Sequence, residues 1–120
     1  MKRLTEDKPK CFVHLQDKSL LEWQTEACFA IGFDSITIIR GYRKEFFSDD
    51  KRYCYIDNDN WANTNMVRSL FCANFLLERY PCLITYSDIV YHPNILKVVA
   101  QSEEDIVIGY DTNWLSLWSL

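Results

Sequence analysis

The chain has 120 residues, 48% of them hydrophobic and 15% aromatic, with 25% charged and a formal net charge of -4. That is enough apolar material to pack one domain, which excludes wholesale disorder. The acidic balance speaks against a general nucleic-acid binder or a partner of anionic membranes, and no apolar run approaches the roughly 18 residues that span a bilayer.

The opening Leu4-Thr5-Glu6-Asp7-Lys8-Pro9-Lys10 is charged and carries no apolar core of a secretory leader. Pro9 holds Lys8 extended and stiffens the approach to Lys10, so that an ammonium here is fit to meet a phosphate; a solvated charged terminus is the plainer alternative. Phe12 to Leu15 is a short apolar stretch. Ser19-Leu20-Leu21-Glu22 reads as a capping box, which starts a helix running to about Ile31. Leu20, Trp23, Ala27, Cys28 and Ile31 share its apolar face, and Gly32 fits the left-handed position beyond its end. Ser35 to Arg40 is β-branched and reads as a buried strand, broken by Gly41-Tyr42. Arg43 to Phe47 predicts a short helix, and Tyr53 to Ile56 a second strand.

Asp57 to Thr64 is a polar loop. Asn65 to Tyr80 reads as one helix with Met66, Leu70, Ala73, Phe75 and Leu77 on its apolar surface. A third strand is expected over Cys82 to Thr85, ending at Tyr86-Ser87-Asp88. Pro93 to Ala100 reads as a helix with Pro in its first turn, and Asp105 to Tyr110 as a further strand ending at Asp111. Strands alternating with helices predict an α/β fold with a mostly parallel sheet covered on both faces. In such sheets ligands bind beyond the carboxyl ends of the strands, where Gly41-Tyr42-Arg43, Ser87-Asp88 and Asp111 fall.

Cys11, Cys28, Cys54, Cys72 and Cys82 are odd in number, and no pair has C-x-x-C spacing. Apolar surroundings suit reduced thiols, so a cytoplasmic location is expected. His14 and His92 stand alone, which argues against a zinc site.

Several of these segments, in this order, resemble the nucleoside triphosphate transferase superfamily. The resemblance is to its phosphocholine cytidylyltransferase and sugar-phosphate nucleotidyltransferase branch. Leu4-Thr5…Pro9-Lys10 is similar to that family's Leu-Thr-x-x-x-Pro-Lys segment. Lys18-Ser19-Leu20-Leu21-Glu22-Trp23-Gln24 is similar to its Lys-x-Leu-Leu-x-x-Gln helix start. Gly32, Ile36 to Ile39 and Gly41-Tyr42 follow in family order. Asn65 with Ser69-Leu70, then Ser87-Asp88, then Tyr110-Asp111…Trp114, continue the likeness to the choline branch.

The resemblance implies a Rossmann-like sheet lacking the usual first strand, because the strand and G-x-G-x-R turn with which the family opens have no counterpart. A second metal-binding acid, expected later in the family, also has none. The expectation is therefore a partial nucleotidyltransferase domain over residues 1–120, a fragment or a product begun at an internal Met.

The implied reaction is Mg²⁺-dependent nucleotidyl transfer from a nucleoside triphosphate, CTP or another, to a small phosphorylated acceptor such as phosphocholine or a sugar phosphate. The implied roles are Lys10 as the catalytic cation, Asp88 as the metal ligand, and Asn65, Ser69, Asp111 and Trp114 as nucleotide or acceptor contacts. Each has a plainer alternative: Asp88 a turn cap, Asn65 a helix cap, Ser69 a packing residue, Asp111 and Trp114 a turn and a core ring. A truncated, non-catalytic nucleotide-binding or interaction domain is the competing function. A sheet without its central strand leaves edges open, so self-association is also expected.

Overall fold

The computed structural model describes residues 4–119. Its sheet is small and its helices are short. A 3-10 turn, Lys10–Phe12, precedes the first hairpin, with Cys11 buried. A two-residue hairpin follows, β1 (His14–Leu15) pairing antiparallel with β2 (Lys18–Ser19). Helix α1 (Leu20–Ala30) begins as its capping sequence predicts, with the Ser19 hydroxyl accepting from the Glu22 N–H at 3.2 Å. It ends as predicted too. Gly32 takes φ +97° and the Phe33 N–H folds back to the Cys28 carbonyl at 3.2 Å, which satisfies a carbonyl the last turn would leave open.

Strands β3 (Ile36–Arg40) and β4 (Tyr53–Asp57) pair in parallel, Ile36 opposite Tyr53 through Arg40 opposite Asp57. The expected short helix between them is a 3-10 turn, Lys44–Phe46. Rings of Phe12, Phe46, Phe47, Tyr55 and Tyr53 form a chain of contacts, the closest being Phe12 to Phe47 at 4.9 Å. These rings lay the Lys10–Phe12 turn over β4. The core itself is slight: Cys11, Leu20, Ala27, Ala73 and Leu96 are its buried apolar residues. Leu96 comes from α4 (Pro93–Ala100), which starts at Pro93 with His92 Nδ1 accepting from the Asn94 N–H and packs against α1.

Three expectations are corrected. The helix foreseen over Asn65 to Tyr80 is two pieces, α2 (Met66–Phe71) and α3 (Asn74–Leu77). At Cys72 and Ala73 the N–H groups reach back three residues rather than four, to Ser69 and Leu70, and this tightening ends the first piece while Ala73 turns inward. Neither Cys82–Thr85 nor Asp105–Tyr110 forms a strand. Both have strand-like composition, but a strand exists only where a neighbour takes its backbone groups, and among the described residues β3 and β4 pair only with each other. The chain closes with α5 (Trp114–Trp118). The α/β class with a parallel pair and flanking helices stands as predicted.

Candidate active site

Lys10 and Asp88 lie 78 residues apart in sequence, and the fold brings them together: Lys10 Nζ donates to Asp88 Oδ2 at 3.1 Å. The two side chains remain 52% and 32% exposed. An ion pair this open contributes little to stability, typically under about 1 kcal/mol, so packing does not account for both residues. Lys10 heads the 3-10 turn whose neighbour Cys11 is sunk against α1, and burial pushes the Cys11 thiol up to about 11. Asp88 sits in a turn of the irregular 81–92 stretch.

Tyr42 ties down the approach to Lys10. Its hydroxyl donates to the Glu6 carbonyl at 2.6 Å, with the Thr5 carbonyl at 3.3 Å. The Trp61 ring packs edge-on against Tyr42 at 5.3 Å. The sequence marks Gly41-Tyr42 as the break after its strand and, with Arg43, as a cluster at the ligand-binding edge, but gives no sign of the tie from Tyr42 to Thr5 and Glu6. The turn lies at the carboxyl end of β3, where an open α/β sheet places its ligands, and that position was the signal available.

The carboxyl ends of β3 and β4 carry a charge cluster. Arg40 Nε donates to Asp57 Oδ1 at 2.7 Å, its guanidinium stacks over Tyr55 at 4.4 Å, and Lys44 Nζ reaches Asp57 at 3.3 Å and Asp59 at 2.8 Å. The Arg40 guanidinium first, and the Lys44 ammonium after it, hold the Asp57 carboxyl below its ordinary value. These charges are spent on one another. Arg43 is likewise turned to Glu45 and the Tyr42 ring.

Asn65 caps α2, its side-chain oxygen accepting from the Arg68 N–H at 3.1 Å. Ser69 accepts from Asn58 Nδ2 at 3.0 Å, and the same amide donates to Thr64 Oγ1 at 2.9 Å. Asn58 is buried and fastens the loop after β4 to α2. The Tyr86 hydroxyl meets Met66 Sδ at 2.8 Å, so the start of α2 lies beside the segment that carries Asp88. Asp111 accepts from the Asn113 N–H at 2.8 Å in a local turn, and Trp114 is 54% exposed. Among the described residues no hydrogen bond, ion pair or ring contact joins Asp111 or Trp114 to the Lys10–Asp88 pair. The structure therefore joins Lys10 to Asp88 and sets Met66, at the start of α2, against Tyr86.

Among the described residues no three His, Cys, Asp or Glu side chains cluster as a metal cage. One carboxylate beside an ammonium does fit Mg²⁺ of the kind held mainly by phosphate oxygens and water; it does not fit a resident metal. No described helix is long and apolar enough to cross a membrane.

No protein-family model matches the chain. Over 126 aligned residues it is 32% identical to the CTP:phosphoglutamine cytidylyltransferase of Campylobacter jejuni, an alignment covering 97% of this chain and 49% of that protein. Its structure superposes on the CTP:phosphocholine cytidylyltransferase of Streptococcus pneumoniae with a TM-score of 0.58 and 33% identity, over 62% of this chain and 34% of that one. The chain is homologous to the cytidylyltransferases, a branch of the nucleotidyltransferases, and spans about half the length of the curated relative it matches.

Proposed function

We propose that this chain carries part of the active site of a cytidylyltransferase, which moves CMP from CTP to a small phosphorylated acceptor and releases pyrophosphate. The observation that carries the reading is the meeting of Lys10 and Asp88 at 3.1 Å across 78 residues of sequence. A phosphate oxygen of the acceptor attacks the α-phosphorus of CTP. The new P–O bond forms there as the bond to the bridging oxygen breaks, and pyrophosphate leaves with that electron pair. The acceptor phosphate is already ionised near neutral pH, so the protein need not remove a proton. Its task is alignment and charge neutralisation.

Lys10 is suited to stabilise charge that develops on the α-phosphate. Asp88 is suited to hold Mg²⁺ against the triphosphate; the ion supplies charge neutralisation there. Asn65 and Ser69, at the adjoining start of α2, are the nearer candidates for nucleotide or acceptor contact, with Asp111 and Trp114 as outer ones. Phosphocholine, phosphoglutamine and a sugar phosphate are the acceptors to try. Five cysteines without a disulfide support a cytoplasmic setting.

The assay is pyrophosphate release from CTP with each acceptor and Mg²⁺. Lys10→Ala and Asp88→Ala should each lower the rate about 10²-fold, as loss of a charged stabiliser does. Turnover that survives both substitutions overturns the assignment. The competing reading is a non-catalytic nucleotide-binding domain. CTP binding without pyrophosphate release from any acceptor would favour it.

A further inference from the structure

Gln24 is polar, yet it lies on the Leu20–Ala27 stripe of α1 and is only 8% exposed. Its Nε2 donates to the carbonyls of Tyr86 at 2.7 Å and Ile89 at 2.6 Å, and its Oε1 accepts from Thr85 Oγ1 at 3.2 Å. The amide orientation follows from the partners, since two carbonyls can only accept. Both donors are thus used, on backbone groups that bracket Ser87 and Asp88. The 81–92 stretch has no ladder of its own, and this buried amide stands in for one. The same helix fastens the chain that follows Lys10. The Leu20 N–H donates to the Val13 carbonyl at 2.9 Å, and the Trp23 indole to the Leu15 carbonyl at 3.0 Å. Helix α1 is therefore the common base of the two segments that carry Lys10 and Asp88.

We infer that Gln24 is the positioning residue for Asp88, holding the 85–89 turn so that the carboxylate stands opposite Lys10. This rests on the role proposed above for Asp88. Gln24 does not touch the reacting atoms. It acts through the turn, where a displacement near 1 Å is enough to cost a large factor in rate.

Two variants test it. Gln24→Glu keeps the size and the helix preference but sets oxygen against two carbonyls. Gln24→Met keeps the length and removes every hydrogen bond. In both, chymotrypsin should cut after Tyr86 at least about tenfold faster while cleavage after Tyr53 and Tyr55 of β4 keeps its rate, as local opening demands. The Mg²⁺ concentration giving half-maximal pyrophosphate release should rise about five- to tenfold. A simple loss of folded protein lowers the maximum and leaves that midpoint in place. Unchanged cleavage after Tyr86, or acceleration spread evenly over the β4 tyrosines, overturns the inference. Asp88→Asn separates the two levels. A midpoint indifferent to Asp88→Asn sinks the reading of Asp88 itself. A midpoint that responds to Asp88→Asn but not to either Gln24 variant sinks only the positioning role.

Discussion

Gly41 shows how one missing carbon sets the approach to the site. A Cβ built there would stand 2.6 Å from Trp61 Cβ and 3.0 Å from Trp61 Cγ, closer than real side chains approach. Trp61 backs Tyr42, and Tyr42 holds the Thr5 and Glu6 carbonyls. Gly41→Ala must push Trp61 outward at its root, where no rotamer change relieves the contact. The expected cost is about 1–3 kcal/mol, the usual range for overpacking, read as a lower denaturant midpoint. A midpoint equal to that of the parent chain would mean Trp61 does not hold this place. The solvent-facing residues of the site tell the opposite story. The Lys10–Asp88 pair can be dissolved with little loss of stability, which is what a site needs if its charges are to be redirected to phosphate and metal.

At the level of elements, what the sequence shows and what it hides divide along a physical line. Features fixed by near neighbours were legible: the Ser19 cap, the left-handed Gly32, Pro93 opening α4, and the β-branched run at Ile36 to Ile39. Features that need a distant partner were not. Cys82–Thr85 and Asp105–Tyr110 have strand composition without strand neighbours, and the periodicity of 65–80 gave no warning that the helix would break at Cys72 and Ala73. Of the site, Lys10 and Asp88 drew their roles from family resemblance, whereas Gln24 entered only as the last residue of the helix-start motif, because its carbonyl partners lie more than sixty residues away. The junction of β3 and β4 offers a test at this scale. Arg40, then Lys44, hold the Asp57 carboxyl below its ordinary value of 3.8. A group with a depressed folded pKa stabilises fully above its unfolded value and loses that contribution as pH falls through the folded one. Stability should therefore decline below about pH 4, and Asp57→Asn should flatten part of that decline. The pair is partly solvated, so the difference should be about 1 kcal/mol or less. Urea midpoints at pH 6 and pH 3 decide it, and parallel slopes for parent and variant would show that the ion pair is idle.

The whole molecule is loosely closed. Its radius of gyration is 15.0 Å, against roughly 13.6 Å for a compact 120-residue domain by size scaling. Large apolar side chains stay in water along the last third: Val98 at 72%, Ile106 at 83%, Ile108 at 80%, Tyr110 at 78% and Trp118 at 85% exposure. Exposed apolar side chains in such number favour association. β3 and β4 each have one edge that no described residue pairs, and an open edge is a template for another chain. Hydrophobic burial and backbone pairing thus both favour association, while a net charge of -4 opposes it only weakly at physiological salt. The 120-residue polypeptide on its own should run above monomer mass in size-exclusion chromatography with light scattering, and should bind an apolar dye. Raising salt should increase the associated fraction, because it screens the repulsion and leaves the apolar term intact. A monodisperse monomer with a sharp cooperative melt would mean that the exposed 98–118 surface is covered by the chain itself, and the association would have to be abandoned.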